Sequence, residues 1–184
     1  MIQQGDMNLG EKRLQTKYKI ECFENWYRDP IFKLKLWKRK IPKLKWADSF
    51  ENLVVTAGLN KVLDATFKTG LASPAWYVGL KGTGTPLAAD TMASHASWSE
   101  LTPYSNSNRP TFTPGTISAG SVDNSAAKAV FNINATSTVV GAFLADDNTK
   151  GGATGTLYGV GDFAASRSVA SGDTLNVTVT LTQS

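Results

Sequence analysis

The stretch Asp173-Thr-Leu-Asn-Val-Thr-Val-Thr-Leu-Thr182, close to the end of the sequence, indicates the fold class of this protein. Its apolar residues, Leu175, Val177, Val179 and Leu181, alternate with Asn and Thr. Successive side chains of a β-strand point to opposite faces, so this period of two is typical of a strand with one buried and one solvated face.

Similar stretches, rich in Thr, Ser, Val and Ala, recur upstream between Gly- and Asn-containing turns. Short strands at a spacing of roughly ten residues favour a sandwich or a jelly roll. The sequence therefore predicts a mainly β protein, with an antiparallel β-sandwich or jelly-roll-like domain. The predicted strands lie at 18–23, 75–81, 128–134, 138–145, 155–163 and 174–182, with shorter ones near 97–104 and 110–117.

One short helix is predicted near residues 54–68. Thr56 is a suitable N-cap residue at its start. Apolar residues follow at helical spacing, which predicts a stripe that faces the core. The members of this stripe are Val55, Leu59, Val62, Leu63 and Phe67.

Charge is distributed unevenly along the 184 residues, whose formal net charge is +4. Residues 1–50 hold twelve Lys and Arg against six Asp and Glu, whereas residues 51–184 hold seven against nine. Such asymmetry indicates that the basic part meets an acidic partner. We therefore predict a basic N-terminal β arm at 1–46 and a sandwich domain at 47–184.

Within this arm, residues 31–46 predict a basic two-stranded ribbon that turns at 38–40. Lysines two apart with leucine between them place lysine on one face of a strand and leucine on the other. Basic residues interleaved with aromatic ones suit docking to an acidic surface. The candidate docking residues are Lys33, Lys35, Trp37, Lys38, Arg39, Lys40, Lys43, Lys45 and Trp46.

Three interpretations of this ribbon stay open. It is a solvated lysine face that discourages edge pairing, a docking element for an acidic protein surface, or a nucleic-acid contact in which aromatic rings stack on bases. The mildly acidic remainder of the chain disfavours nucleic acid.

Residues with reactive side chains are few. The single cysteine, Cys22, is expected to be a buried apolar residue, and the single histidine, His95, is expected to pack or hydrogen-bond within its loop, with Glu100 near in sequence. Gly159-Val-Gly161 matches a dinucleotide pattern by letter, but no helical pattern follows it, so close backbone approach or a strand bulge is expected.

These features predict a protein that is not an enzyme and needs no cofactor or metal. Paired carboxylates would be required for glycoside hydrolysis. The candidates by residue type are Glu100, Asp123, Asp146, Asp147 and Asp162, all in turn-like contexts. No stretch has the roughly 20 apolar residues of a membrane span, and the start lacks the shape of a signal peptide. The protein is therefore expected to stay in a cytoplasm unless it leaves inside a larger particle.

Several stretches of this sequence resemble a family of tailed-bacteriophage virion proteins. They include Lys45-Trp-Ala-Asp-Ser-Phe-Glu-Asn-Leu-Val-Val-Thr-Ala-Gly-Leu-Asn60, Asp90-Thr-Met-Ala-Ser-His-Ala-Ser-Trp-Ser-Glu100 and Ser171-Gly-Asp-Thr-Leu-Asn-Val-Thr-Val-Thr-Leu181. The resemblance covers about residues 43–184, and the basic segment 24–42 looks like an insertion relative to it.

The resemblance implies a noncatalytic structural protein of the virion, assembled in the bacterial cytoplasm. A capsid-surface decoration protein or head fibre is expected first. A tail component or receptor binder is the alternative, with Trp98 and Tyr104 in the loops of 82–127 touching a host glycan or protein. The implied partners are other virion proteins and further copies of the chain, with a trimer favoured over a dimer.

Overall fold

The structure, a computed structural model, describes residues 14–27, 40–68 and 74–183. These residues form two β-sheets and one helix. In chain order the elements are β1 (Leu14–Tyr27), β2 (Lys40–Glu51), β3 (Leu53–Val54), α1 (Thr56–Phe67), β4 (Trp76–Gly84), β5 (Trp98–Leu101), β6 (Thr111–Phe112), β7 (Ser121–Asp123), β8 (Ala129–Asn132), β9 (Ser137–Ala145), β10 (Leu157–Val169) and β11 (Thr174–Gln183).

The two sheets share one core. The first has the strand order β2–β1–β11–β7, with β8 also paired to β11, and the second has the order β3–β10–β9–β4–β5, with β6 paired to β4. All of these pairings are antiparallel. Buried apolar side chains from both sheets meet in one cluster, as in a β-sandwich. The prediction of an antiparallel sandwich with one helix is confirmed for the described ranges.

β11 lies in the middle of the first sheet and has the predicted alternation. Leu175, Val177 and Val179 are fully buried, while the Asn and Thr side chains between them remain partly exposed. Ten consecutive residues of β1 pair with one edge of β11, and β7 and β8 share the other edge. Burial of each such side chain contributes roughly 1.5–3 kcal/mol, so this strand is central to the stability of the sheet.

Part of the segment predicted as a basic arm, residues 14–23 of β1, pairs with β11 within the first sheet. Tyr18, Ile20 and Cys22 of β1 are fully buried in the common core. Lys17 and Lys19, which alternate with these residues, are exposed on the other face of the sheet. A net charge summed over fifty residues does not reveal this alternation, which is why the segment looked like a separate basic arm.

α1 falls within the predicted range of 54–68, but Thr56 is not its N-cap. Val55 occupies that position, and no side chain hydrogen-bonds to the start of the helix. Val55 is itself fully buried, and its backbone N–H donates to the carbonyl of Tyr158 in β10. The start of α1 is therefore held by backbone contact with the second sheet.

The predicted core-facing stripe of α1 is wrong for three of its members. Leu59, Leu63 and Phe67 are exposed, and Val62 is only partly buried. The helix instead contacts β10 through Gly58, its buried residue. A Cβ atom at this glycine would collide with the backbone of β10, so the absence of a side chain allows the close approach.

The remaining strands follow the predicted positions, with two omissions. β3 and β7 were not predicted, since each has only two or three residues and no clear alternation. β10 extends to Val169, six residues beyond the predicted end at 163. Gly159 and Gly161 lie in β10, with a register shift beside Gly159, which confirms close backbone approach and a bulge rather than a dinucleotide site.

A substitution of Gly58 by Ala tests the contact between α1 and β10. Alanine normally stabilises a helix relative to glycine by roughly 1 kcal/mol. Here we expect Gly58→Ala to destabilise the protein by about 1–3 kcal/mol, because the added methyl group overpacks the contact. Denaturant unfolding measures the change. Thr66→Ala, on the exposed side of the same helix, is the matched control and should be near neutral; a stabilising Gly58→Ala would contradict the close approach.

Candidate docking hairpin

The first two strands extend past the body of the sandwich as a hairpin. β1 pairs with β11 only as far as Phe23, opposite Thr174. Beyond this point residues 24–27 pair with 40–43 of β2 alone. At about 3.4 Å per residue, this two-stranded extension adds roughly 13 Å to the sheet. We call residues 24–45 the projecting hairpin.

The projecting hairpin accounts for the whole excess of positive charge. Its 22 residues hold eight Lys and Arg against two Asp and Glu, a net charge of +6. The other 162 residues hold eleven against thirteen, a net charge of −2. Much of this charge lies in the connection at 28–39, which is outside the described residues. The described strands on either side of it belong to the sandwich.

A bulge in β2 positions Lys45 at the base of the hairpin. The register of the β1–β2 pairing shifts between Cys22 and Phe23, which leaves Lys45 without an opposite residue. Bulges redirect side chains. Here the Nζ of Lys45 lies 2.7 Å from the Oδ2 of Asp173, a carboxylate almost completely buried in the turn before β11. The hydrogen bond to Asp173 raises the pKa of Lys45 above its ordinary value.

Asp173 joins three parts of the chain at this point. Its carboxylate accepts hydrogen bonds from the Lys45 ammonium and from the backbone N–H of Ala170, at 2.8 Å. The Cys22 thiol lies 3.6 Å away. Burial, together with the nearby Asp173 charge, raises the pKa of Cys22 to about 12. The thiol therefore stays protonated at neutral pH, and Cys22 is the buried, unreactive residue that was predicted.

Two further contacts fasten β2 to the opposite sheet. The indole Nε1 of Trp46 donates to the carbonyl of Ser168 at 3.2 Å, and its ring packs edge-on against Phe163 with centroids 5.8 Å apart. Next along β2, the carboxylate of Asp48 accepts hydrogen bonds from Nε and Nη2 of Arg167. These contacts give the base of the hairpin a fixed attachment to β10.

The structure separates the nine predicted docking residues into groups. Lys40 belongs to β2, and its backbone pairs with Tyr27. Lys43 forms an exposed ion pair with Glu24, 3.4 Å away. Five others are outside the described residues: Lys33, Lys35, Trp37, Lys38 and Arg39.

The docking role of Lys45 and Trp46 stays a prediction, because Lys45 remains exposed and Trp46 partly exposed. Both side chains make contacts within the sandwich, as described above. Lys43, Leu44 and Trp46 pair with β1. The predicted ribbon paired this stretch with residues 33–37, which lie outside the described residues. Sequence reasoning missed Asp173, because nothing in its local turn reveals a lysine 128 positions away.

The carboxylates considered for catalysis all take part in contacts within the domain. Glu100 binds Arg109, whose Nε and Nη2 donate to it at 3.0 and 2.7 Å. Asp162 lies 2.7 Å from the fully buried Lys81. Backbone N–H groups donate to the others: that of Ser125 to Asp123, that of Thr156 to Asp146 and that of Thr149 to Asp147.

The loops proposed for receptor contact are built around buried aromatic residues. Trp98 is buried, and its Nε1 donates to Asp90 at 2.9 Å. Tyr104 is fully buried against Phe131. Neither ring is available to a glycan or a host protein, so their expected contact role is corrected. His95 packs on Trp98 with ring centroids 4.3 Å apart, which confirms its packing role, while Glu100 binds Arg109 instead.

In the described ranges, no group of three or more His, Cys, Asp or Glu side chains is placed to hold a metal ion. None of the helical segments there is long and apolar enough to cross a membrane.

Comparisons with known proteins do not assign this chain to a family. A scan against models of protein families finds no match, and a search of curated proteins finds no similar sequence.

Loss of the Lys45–Asp173 contact should destabilise the whole protein. We expect Lys45→Met to cost about 1–3 kcal/mol, because it leaves the buried Asp173 carboxylate without its cation. Lys43→Met is the matched control, since an exposed pair contributes roughly 0–1 kcal/mol. Thermal unfolding of the two variants measures the difference. Equal effects would show that the bulge does not position Lys45 as described.

The Asp48–Arg167 pair should make stability depend on acid pH. The hydrogen bond from Arg167 lowers the pKa of Asp48, so the pair stabilises the protein above the ordinary carboxyl range near 4 and loses this effect as the pH falls through the lowered value. Asp48→Asn should unfold at a lower temperature than wild type at pH 7.

We expect this gap to narrow below about pH 4, where wild type also loses the charge. Unfolding temperatures measured from pH 7 to pH 2.5 check the trend. Asp64→Asn, which affects a more exposed pair with Lys68 on α1, is the control and should have a small effect at pH 7. A gap that stays constant down to pH 2.5 would count against the assignment.

Proposed function

We propose that this protein is a noncatalytic structural component of a tailed-bacteriophage virion, attached to an acidic protein surface of the particle by its projecting hairpin. We place it first on the capsid surface, as a decoration protein or a head fibre. The observation that carries this proposal is that 24–27 and 40–43 pair with each other beyond the start of β11, at the two ends of a sequence segment, 24–45, whose net charge is +6 against −2 for the remainder of the chain.

The base of the hairpin supports a mechanical role. Strands 14–27 and 40–51 continue from the hairpin into the sandwich, where β1 pairs with the central strand β11. Lys45, Trp46 and Asp48 join the base of the hairpin and the adjoining part of β2 to Asp173 and β10. A force that acts on the hairpin is therefore transmitted through β1 and β2 directly to the core of the sandwich.

The charge pattern supports a protein partner over nucleic acid. A phosphate backbone attracts a basic hairpin but repels a net acidic body near it. On a particle, each hairpin can bind weakly, because many copies on one lattice add avidity. Exposed ion pairs contribute roughly 0–1 kcal/mol each, so several basic residues must act together.

The carboxylates agree with a noncatalytic role. A general acid or nucleophile needs access to substrate. Glu100 and Asp162 instead neutralise the buried side chains of Arg109 and Lys81. The resemblance to virion proteins points the same way. The tail position remains the second candidate, and copy number separates the two: hundreds of copies per particle indicate the capsid, a dozen or fewer the tail.

Charge reversal at the hairpin tests the proposed attachment. We expect the triple variant Lys38→Glu/Arg39→Glu/Lys40→Glu to bind at least tenfold more weakly than wild type to particles from which this protein has been removed. Empty and DNA-filled particles should behave alike, because the partner is protein. Attachment of wild type should weaken as salt rises above about 0.15 M, where the screening length falls below roughly 8 Å. Co-sedimentation with particles measures binding.

A control variant carries the same change of charge on the body: Lys17→Glu, Lys19→Glu, Lys68→Glu. These lysines are exposed on β1 and at the end of α1. The control should keep most of its attachment. Equal loss in both variants would mean that overall charge and not the hairpin governs binding, and full attachment of the hairpin variant would refute the docking role.

A further inference from the structure

The outer side of α1 is an apolar surface on a domain that otherwise buries its large apolar residues well. Leu59, Leu63 and Phe67 lie four residues apart on one side of the helix, and Phe67 is 78 % exposed and Leu63 54 % exposed. Leu53 of β3 is exposed next to the start of the helix. We call these four residues the α1 face.

Charge is absent from the centre of this face. The three ionisable side chains of the α1 region are engaged elsewhere, since Lys61 pairs with Asp146 at 3.5 Å and Lys68 pairs with Asp64 at 2.6 Å. Paired side chains present little net charge to a partner selected by charge, such as the one proposed for the hairpin. The surface suits a partner that is itself apolar.

A cavity of about 500 Å³ opens beside the first turn of α1. Leu14, Leu53, Val54 and Leu59 form its apolar walls. Its polar lining consists of Gln15, Thr16, Asn52 and the exposed Glu51. At the other end of the helix Phe67 projects into solvent. The same surface therefore carries a hole at one end and a large aromatic side chain at the other.

We infer that the α1 face binds a second copy of this chain as an antiparallel, two-fold pair. If the axis passes near Leu63, Phe67 of one copy lies beside Leu59 of the other, at the mouth of the cavity. Leu59 and Phe67 are eight residues, or about 12 Å, apart along the helix, so both ends meet at once. A two-fold interface needs a self-complementary surface of this kind.

The area agrees with a weak but specific pair. The four residues of the α1 face expose on the order of 400 Å² of side-chain surface per copy, within the range of functional patches on monomers. Stable interfaces bury about 800 Å² per partner. The uncharged neighbours Thr56, Asn60 and Thr66, all exposed, supply further contact. We expect dissociation in the micromolar range.

The position of the face leaves the projecting hairpin free. The two lie at opposite ends of β2, which spans Lys40 to Glu51, and a strand of this length separates them by up to about 35 Å. Self-association and attachment can therefore occur together. This geometry favours a dimer over the trimer that the resemblance implies, and it does not depend on the proposed attachment.

Sedimentation of the full-length protein from 1 to 200 µM, in 0.5 M salt to screen hairpin charge, is the first test. Wild type should form a dimer, and Leu63→Glu and Phe67→Ser should weaken association at least tenfold. Leu44→Glu and Ile117→Ser are matched controls, since these residues are 51 % and 74 % exposed away from α1, and both should behave as wild type. Two results would overturn the proposal. One is a monomeric wild type, which is expected if another segment of the same chain covers the α1 face. The other is normal association of the α1 variants.

Crosslinking tests the orientation. Cys22 is buried with its pKa raised to about 12, so wild type should not crosslink under mild oxidation. Leu63→Cys should form disulfide-linked dimers with itself. Leu59→Cys and Phe67→Cys should link efficiently when mixed and poorly alone. Self-linking of each variant alone would overturn the antiparallel pair, and so would failure of Leu63→Cys to link while the protein remains dimeric.

Discussion

The pairing of β1 with β11 is the constraint on which the rest of the structure depends. It joins the first described strand to the last along ten residue pairs and completes the middle of the first sheet. Tyr18, Ile20 and Cys22 from β1 and Val177 and Val179 from β11 are then buried together against the second sheet. Because these contacts are between residues far apart in sequence, the fold closes only when both ends of the chain are present.

The projecting hairpin follows from this pairing. β11 begins at Thr174, so β1 has no partner on that side after Phe23 and continues only with β2. The buried Asp173, at the same end of β11, meets the cation of Lys45. A buried carboxylate without a cation is costly, so the bulge that brings Lys45 inward stabilises the base of the hairpin. The contacts that stabilise the fold also position Lys45 and the described strand ends on either side of 28–39.

Other buried charged residues are likewise paired with groups that stabilise the fold. Arg109 is fully buried, yet it is satisfied by Glu100 and by the carbonyls of Asp147 and Gly152, each 2.8 Å away. It thereby fixes the turn at 146–152 against the loops near β5. Residues that suggest catalysis when read as a list are thus structural cations and anions. The two surfaces that we propose for interaction, the hairpin and the α1 face, do not use these residues.

The sequence by itself determined the sandwich class, the alternation of β11 and most strand positions, because burial of one strand face is visible as a local period of two. It also placed α1 correctly and indicated that Cys22 is buried. Local patterns do not say which elements are neighbours. The tertiary structure decided that β1 belongs to the core, that Lys45 contacts Asp173, that Trp46 contacts β10 and that Leu63 and Phe67 face solvent. Each of these depends on a partner more than fifty residues away or on the lack of one. A helical stripe in particular shows only that one side is apolar, and what covers that side is a property of the assembled surface.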